Sequence, residues 1–168
     1  TVDDTDDETD ESVTLTVGGV SATGVIVDNE GPIIGSIEVT NTDDRATEGD
    51  VLSYLVTLSS APASDTTYAF TLGGGSASPA DYGSLAFGAG VTDNGDGTLT
   101  VAAGVTAFTV TLPTVDDTLY EPGADETVPL TIGGVTGTGA IADNDSAPTV
   151  VTVEPGIAGT GDDAVIEG

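Results

Sequence analysis

The sequence predicts an all-β fold, a two-sheet antiparallel sandwich that recurs in tandem. Three features predict it: apolar residues that alternate with polar ones, glycine-rich turn signals between those runs, and a long internal repeat. Val, Ile and Thr dominate the alternating runs, as suits a pleated, half-buried surface.

Taken in chain order, an extended run from Ile34 carries Ile37 and Val39. It is followed by Leu52/Tyr54/Val56/Leu58, Tyr68/Phe70/Leu72, Phe108/Val110/Leu112 and Val128/Leu130/Ile132. Each reads as a strand with one buried face. Turns are marked by Gly73-Gly74-Gly75, Asn94-Gly95-Asp96-Gly97, Pro122-Gly123 and Gly133-Gly134. Short strands separated by such signals fold most simply as two packed sheets. The Tyr and Phe residues fall on the inward phase and are expected in the core.

The repeat organises the whole chain. TDESVTLTVGGVSATGVIVDN (9–29) aligns without gaps on ADETVPLTIGGVTGTGAIADN (124–144), with 13 of 21 positions identical. TVDD (1–4) recurs at 114–117, and Glu48-Gly49 recurs as Glu167-Gly168. These matches place residues 1–30 as the tail of one copy, 31–147 as a complete copy and 148–168 as the opening strand of a third. A unit of this length is a domain rather than a solenoid repeat, so each copy is expected to have its own core and to touch its neighbours through short acidic linkers. The abrupt start at Thr1, without a charged leader or an apolar core, is the expectation for a window cut from a longer protein.

Composition narrows function. The 168 residues hold 29 acids against one base, Arg45, for a formal charge of −28. Such a field repels nucleic acid and anionic bilayers, and no apolar run approaches the ~18 residues of a membrane span. Cations are its natural partners. Without Cys there is neither a disulfide framework nor a thiolate metal site. With no His, Cys or Lys, nucleophile activation would fall to carboxylates alone, and with no Trp and 4% aromatics there is little surface for stacking on sugar rings. We therefore expect no enzyme.

The informative acids sit at strand ends: Glu48, Asp81, Asp116, Asp117, Glu121, Asp143 and Asp145. In a sandwich several of these ends share one pole. Carboxylates ~4–5 Å apart repel by roughly 3–4 kcal/mol per pair at an effective dielectric near 20, and a divalent ion reverses that sign. Calcium takes six to eight oxygen ligands, whereas zinc usually recruits His or Cys, so Ca2+ is the best-matched cofactor.

These residues resemble the Calx-beta domain in the repetitive form found in giant bacterial surface adhesins. The resemblance rests on Glu48-Gly49, the Ala80-Asp81-Tyr82 loop, VDDTLYE (115–121) followed by Asp125-Glu126, and the closing GAIADND (139–145). It implies an immunoglobulin-like sandwich of about seven strands. It also implies a calcium cluster near the next domain built from Glu48, Asp81, Asp116, Asp117, Glu121, Asp143 and Asp145. In the first copy Asp3, Asp4, Glu8, Asp28 and Glu30 hold matching places, and Glu167 does so in the third. A secreted or cell-surface location, bacterial in the adhesin form, follows from the same resemblance.

The function expected is a calcium-rigidified spacer in a long adhesin or extracellular fibre, whose partners are neighbouring repeats and, within a fibre, further copies of the same chain. The alternative is a calcium-sensing regulatory domain, to which the family is also related. Near-identical tandem copies favour the spacer, because weak repeated sites suit extracellular calcium. Two other signals are set aside. DNGDG (93–97) lacks the spaced acids of a helix-loop-helix calcium site and is read as a hairpin turn, and Asn144-Asp145-Ser146 matches a glycosylation pattern common by chance.

Overall fold

A computed structural model describes residues 10–27 and 31–152. Among these, twelve strands form: β1 (Glu11–Val17), β2 (Val20–Ile26), β3 (Ile34–Val39), β4 (Arg45–Thr47), β5 (Val51–Leu58), β6 (Thr66–Leu72), β7 (Ala86–Phe87), β8 (Val91–Asp93), β9 (Thr98–Val101), β10 (Ala107–Pro113), β11 (Glu126–Ile132) and β12 (Val135–Ala142). Every alternating run in the sequence is a strand. Residues 148–152 of the expected third copy carry no strand, and the rest of that copy lies outside the described residues.

Strands β3 to β12 build two sheets, ordered β3-β5-β10-β7 and β4-β12-β11-β6-β9-β8. One core lies between them. Leu52, Tyr54, Val56, Val110 and Leu112 enter it from the first sheet, and Leu99, Val101, Val128, Leu130, Ile132 and Ile141 from the second. Tyr54 is fully buried and donates its hydroxyl to the Val128 carbonyl at 2.6 Å, which joins the layers by a hydrogen bond as well as by packing. Burial leaves its phenol firmly protonated, since an anion there would lose its hydration. Phe70 meets Phe87 edge to face, with ring centroids 5.3 Å apart.

Seven of these ten strands run four residues or more, and β4, β7 and β8 hold two or three. The short strands are too brief to show alternation, which is why the sequence pattern passes over them. One pairing departs from the antiparallel expectation: β4 runs parallel to β12, with Ala46 opposite Ile141. It does so because the chain leaves the first sheet after β3 and joins the second. At the crossover Asp43 and Asp44 adopt left-handed φ of 56° and 57°, which short polar side chains tolerate best after Gly. Asn41 stands in for strand pairing there, its amide donating to the Val51 carbonyl at 2.9 Å and accepting from Ser53 N–H at 2.8 Å.

Residues 94–97 turn between β8 and β9, with Gly95 and Gly97 at positive φ and Asn94 N–H bonded to Thr98 O. The Asp96 carboxylate accepts from the Thr98 hydroxyl and amide, and these bonds lower its pKa. The segment is a hairpin turn, as read.

β1 and β2 form a sheet of their own whose register repeats that of β11 and β12 with an offset of 115: Glu11 faces Ile26 as Glu126 faces Ile141, and Val17 faces Val20 as Ile132 faces Val135. The outward hydroxyl pair Thr16–Ser21 at 2.7 Å also recurs, as Thr131–Thr136 at 2.7 Å. The hairpins differ in what covers them. Leu130 is fully buried while its counterpart Leu15 is 66% exposed.

Tyr54→Phe should cost about 1–2 kcal/mol, because it strips the Val128 carbonyl of a buried donor without opening a cavity. Urea unfolding followed by circular dichroism should show a lower midpoint and an unchanged slope.

Candidate metal centre

The pole of the sandwich at which β4 and β12 end gathers the acids. Glu48 follows β4, and its N–H donates to the Ala142 carbonyl at 3.1 Å, continuing the parallel pairing by one bond. That bond turns its side chain inward, and the residue is only 9% exposed. Gly49 is required next for two reasons: its φ is +81°, and a Cβ there would lie 3.1 Å from the Asp116 Cβ. Thr114, buried at the end of β10, closes the same turn with its hydroxyl at 2.8 Å from Asp50 O and 3.1 Å from Thr47 O.

Asp143 follows β12 and orders the segment around it. Its Oδ2 accepts from Glu121 N–H at 2.8 Å and its Oδ1 from Asp145 N–H at 2.7 Å. One carboxylate oxygen from each of Glu48, Asp143 and Asp145 can lie within 4.8 Å of the other two. Among the described residues, Glu48 Oε2 and Asp145 Oδ2 are the buried side-chain oxygens without a hydrogen-bond partner. Buried polar atoms are nearly always paired, so carboxylate oxygens without donors on two of these three residues are unusual, and the trio could hold a metal ion.

The other expected acids surround this trio. Asp116 Oδ1 accepts from Asn144 Nδ2 at 2.9 Å, and the same amide reaches the Glu48 carbonyl at 3.2 Å. Asp117 is exposed and caps its own turn, accepting from Leu119 N–H at 2.6 Å. Asp81 accepts from the backbone and hydroxyl of Ser78, while its own carbonyl receives Val115 N–H at 2.8 Å. All seven acids expected within residues 31–147 therefore share one pole, but three lie close together and four stand around them. Asp3, Asp4, Glu8, Asp28, Glu30 and Glu167 lie outside the described residues.

The electrostatics of the pole are those of confined like charges. Burial, then Asp117, Asp143, Glu121 and Asp145, raise the Glu48 pKa. Burial followed by Asp143, Asp117 and Asp116 raises that of Asp145, and burial followed by Asp81, Asp117 and Asp143 raises that of Glu121. The base Arg45 is engaged beside the cluster, its guanidinium 3.0 Å from Asp125 in an exposed pair of little energetic weight.

Two residues of the site escape sequence reasoning. Glu126 lines a recess of about 180 Å³ with Glu121, Asp143 and Asp145, and its pKa is pushed up to about 7 by burial, a hydrogen bond with Asp81 and the charges of Asp81, Glu121 and Glu48. The sequence shows it in the Asp125-Glu126 pair of the Calx-beta resemblance but does not place it among the metal ligands. Asn144 bridges Glu48 and Asp116 although its amide is chemically unremarkable in a linker. Its signal in the sequence is its place between Asp143 and Asp145, which the repeat preserves as Asn29 between Asp28 and Glu30.

No protein-family model matches this chain, and no curated protein matches it. Among solved structures it is similar to domains 4 and 5 of the S-layer protein SbsC, at 16% identity and a TM-score of 0.38, over 80% of this chain and 57% of that one. It is similar also to SbsC residues 31–844 (16% identity, TM-score 0.41, 84% of this chain and 17% of that one) and to SbsC domains 4–9 (16%, 0.39, 84% and 19%). The chain thus spans little more than half of the first structure and less than a fifth of the other two. These likenesses are distant.

The raised pKa values fix the sign of a pH dependence. An acid whose folded pKa exceeds its unfolded value binds more protons when folded, so stability is greatest below the unfolded pKa and falls as pH rises through the window up to the folded one. For Glu126 that window runs from 4.5 to about 7. In chelator the chain should lose stability across it, and Glu126→Gln should flatten the decline and raise the melting temperature at pH 7. Thermal melts in half-unit steps that rise over this window would contradict the assignment.

Proposed function

We propose that the chain is part of a calcium-rigidified spacer, a series of sandwich modules in a long secreted or cell-surface adhesin or extracellular fibre. The observation that carries this reading is the pair of buried, donor-less oxygens on Glu48 and Asp145. Both residues group with Asp143, one carboxylate oxygen of each within 4.8 Å of the others, where the module passes into its linker. The donor set is all oxygen and densely anionic, with His and Cys absent from the chain, which favours calcium over zinc. Magnesium fits less well, because it demands a tight octahedron and keeps much of its water. The resemblance to Calx-beta domains supports the same metal and the same pole.

The mechanism is electrostatic. Asp143 and Asp145 belong to the linker, and Glu48 belongs to the sandwich. Without a cation their carboxylates repel, and the linker is pushed from the module. A shared coordination shell reverses that force and fixes the direction in which the linker leaves. Repeated at each junction, this limits bending along the chain. The raised carboxylate pKa values add a consequence: protons compete with the metal, so affinity weakens below neutral pH.

A site half-saturated near ~0.1 mM should raise the melting temperature by roughly 5 °C in ~1 mM calcium relative to chelator. Equal magnesium should give a much smaller rise. Glu48→Gln should raise the metal-free melting temperature and remove most of the calcium response, since it keeps the shape and deletes the charge. X-ray scattering from two complete modules should show a longer, stiffer particle in calcium. Melting and shape indifferent to calcium would leave the acids as a solvated surface and end the spacer reading.

A further inference from the structure

The two hairpins of this chain pose a problem of specificity. β1–β2 and β11–β12 share register, turn and outer hydroxyl pair, and their inward faces are nearly the same: Val13, Leu15, Val20, Gly24 and Ile26 match Val128, Leu130, Val135, Gly139 and Ile141. The place that β11–β12 fills between β6, β4 and the facing sheet is thus open in principle to a hairpin of a neighbouring module. Exchange of like elements is a characteristic failure of tandem-repeat proteins.

Two inward positions differ. Ile132 is replaced by Val17, one methylene smaller, and Gly137 by Ala22, one methyl larger. Gly137 is buried where β12 approaches β3. A Cβ there would lie 2.5 Å from Ile37 Cγ2, 2.7 Å from the Ile37 carbonyl oxygen and 3.0 Å from Ile37 Cβ. Since one of those atoms is backbone, a rotamer change cannot relieve the overlap, and the strand itself would have to move. Val17 opens a gap on a different rung and offers the alanine methyl no room.

We propose that Gly137 packed on Ile37, set against Ala22, is a steric key that reserves this module's hairpin site for β11–β12 and excludes the hairpin of the neighbouring module. The inference rests on the tandem-module reading but not on calcium. By the same logic the module that receives β1–β2 carries a wider gap opposite Ala22.

The chain has no cysteine, so a disulfide can report which hairpin sits in the site. Thr71 and Thr131 are register partners on the outer face of β6 and β11, at a spacing that a disulfide spans. Thr71→Cys with Thr131→Cys reports the resident hairpin, and Thr71→Cys with Thr16→Cys reports the intruder, within or between chains. Each pair is refolded from denaturant in chelator and oxidised. With Ala22 retained, the intruder cross-link should be near background. Ala22→Gly should raise it on the order of tenfold, and Ala22→Gly with Gly137→Ala should make it the major product. Equal cross-linking with Ala22 and with Gly at that position, whether low or high, overturns the key. If the double variant does not fold, Ala22→Gly decides alone, because the resident hairpin is untouched in it. Failure of the spacer reading would show separately, as melting indifferent to calcium in the unaltered chain.

Discussion

The rest of the structure turns on how the carboxylates of Glu48, Asp143 and Asp145 are held. Each is placed through the backbone beside it: Glu48 N–H is tied to Ala142 O, and Asp143 accepts the amides of Glu121 and Asp145. The Asp143 carboxylate is held by both of its oxygens, and one oxygen each of Glu48 and Asp145 is shut away from water. Ordinary surface acids behave differently, since they rotate outward and remain hydrated. The pole is built to keep negative charge together, which is costly for an isolated domain and useful to a domain that recruits a cation.

The sandwich supplies that anchoring by a change of sheet. Had the strand that begins at Ile34 stayed in the first sheet, Glu48 would not lie beside Ala142. The crossover at Asp43 and Asp44 carries the chain to β12, and the parallel pairing of β4 with β12 sends both strands toward the same pole. Gly49 then lets Asp116 approach, and Thr114 ties the end of β10 to that turn. Fold and site are coupled here, because the three-residue strand β4 earns its place by where it delivers Glu48.

Much of this was legible in the sequence. Long runs such as Leu52/Tyr54/Val56/Leu58 declare their strands, since one face is fully buried and the alternation is complete. The acids at strand ends were equally plain, because antiparallel strands bring their ends to shared poles. Strands of two or three residues, such as β7, hold too few positions to show a period. β12 is disguised by glycines, as VTGTGAIA places Gly137 and Gly139 where an apolar side chain would be expected and so looks like loop. Within the site, sequence could not rank the acids, because Glu48 and Asp143 are brought together only by the β4–β12 pairing. Glu126 and Asn144 were missed for a related reason: each gains its role from contacts with residues distant in sequence.

Strand β12 connects the core to the acidic pole. Near its start, Gly137 lets it press against Ile37 so closely that a single added methyl has no room. Beyond its other end, the chain passes straight into Asp143 and Asp145. An intruding hairpin would therefore bring its own linker and acids to the wrong module, so a swap would misroute the junction as well as the core. Between modules that carry such similar hairpins, as the proposed tandem array would, apolar burial alone does not prevent this, since the two hairpins offer almost the same apolar face. Discrimination has to come from shape at a point of close approach, where the interior is least compressible. A glycine under a neighbouring strand provides it without adding a polar group to the core or disturbing the alternation on which the sheet depends.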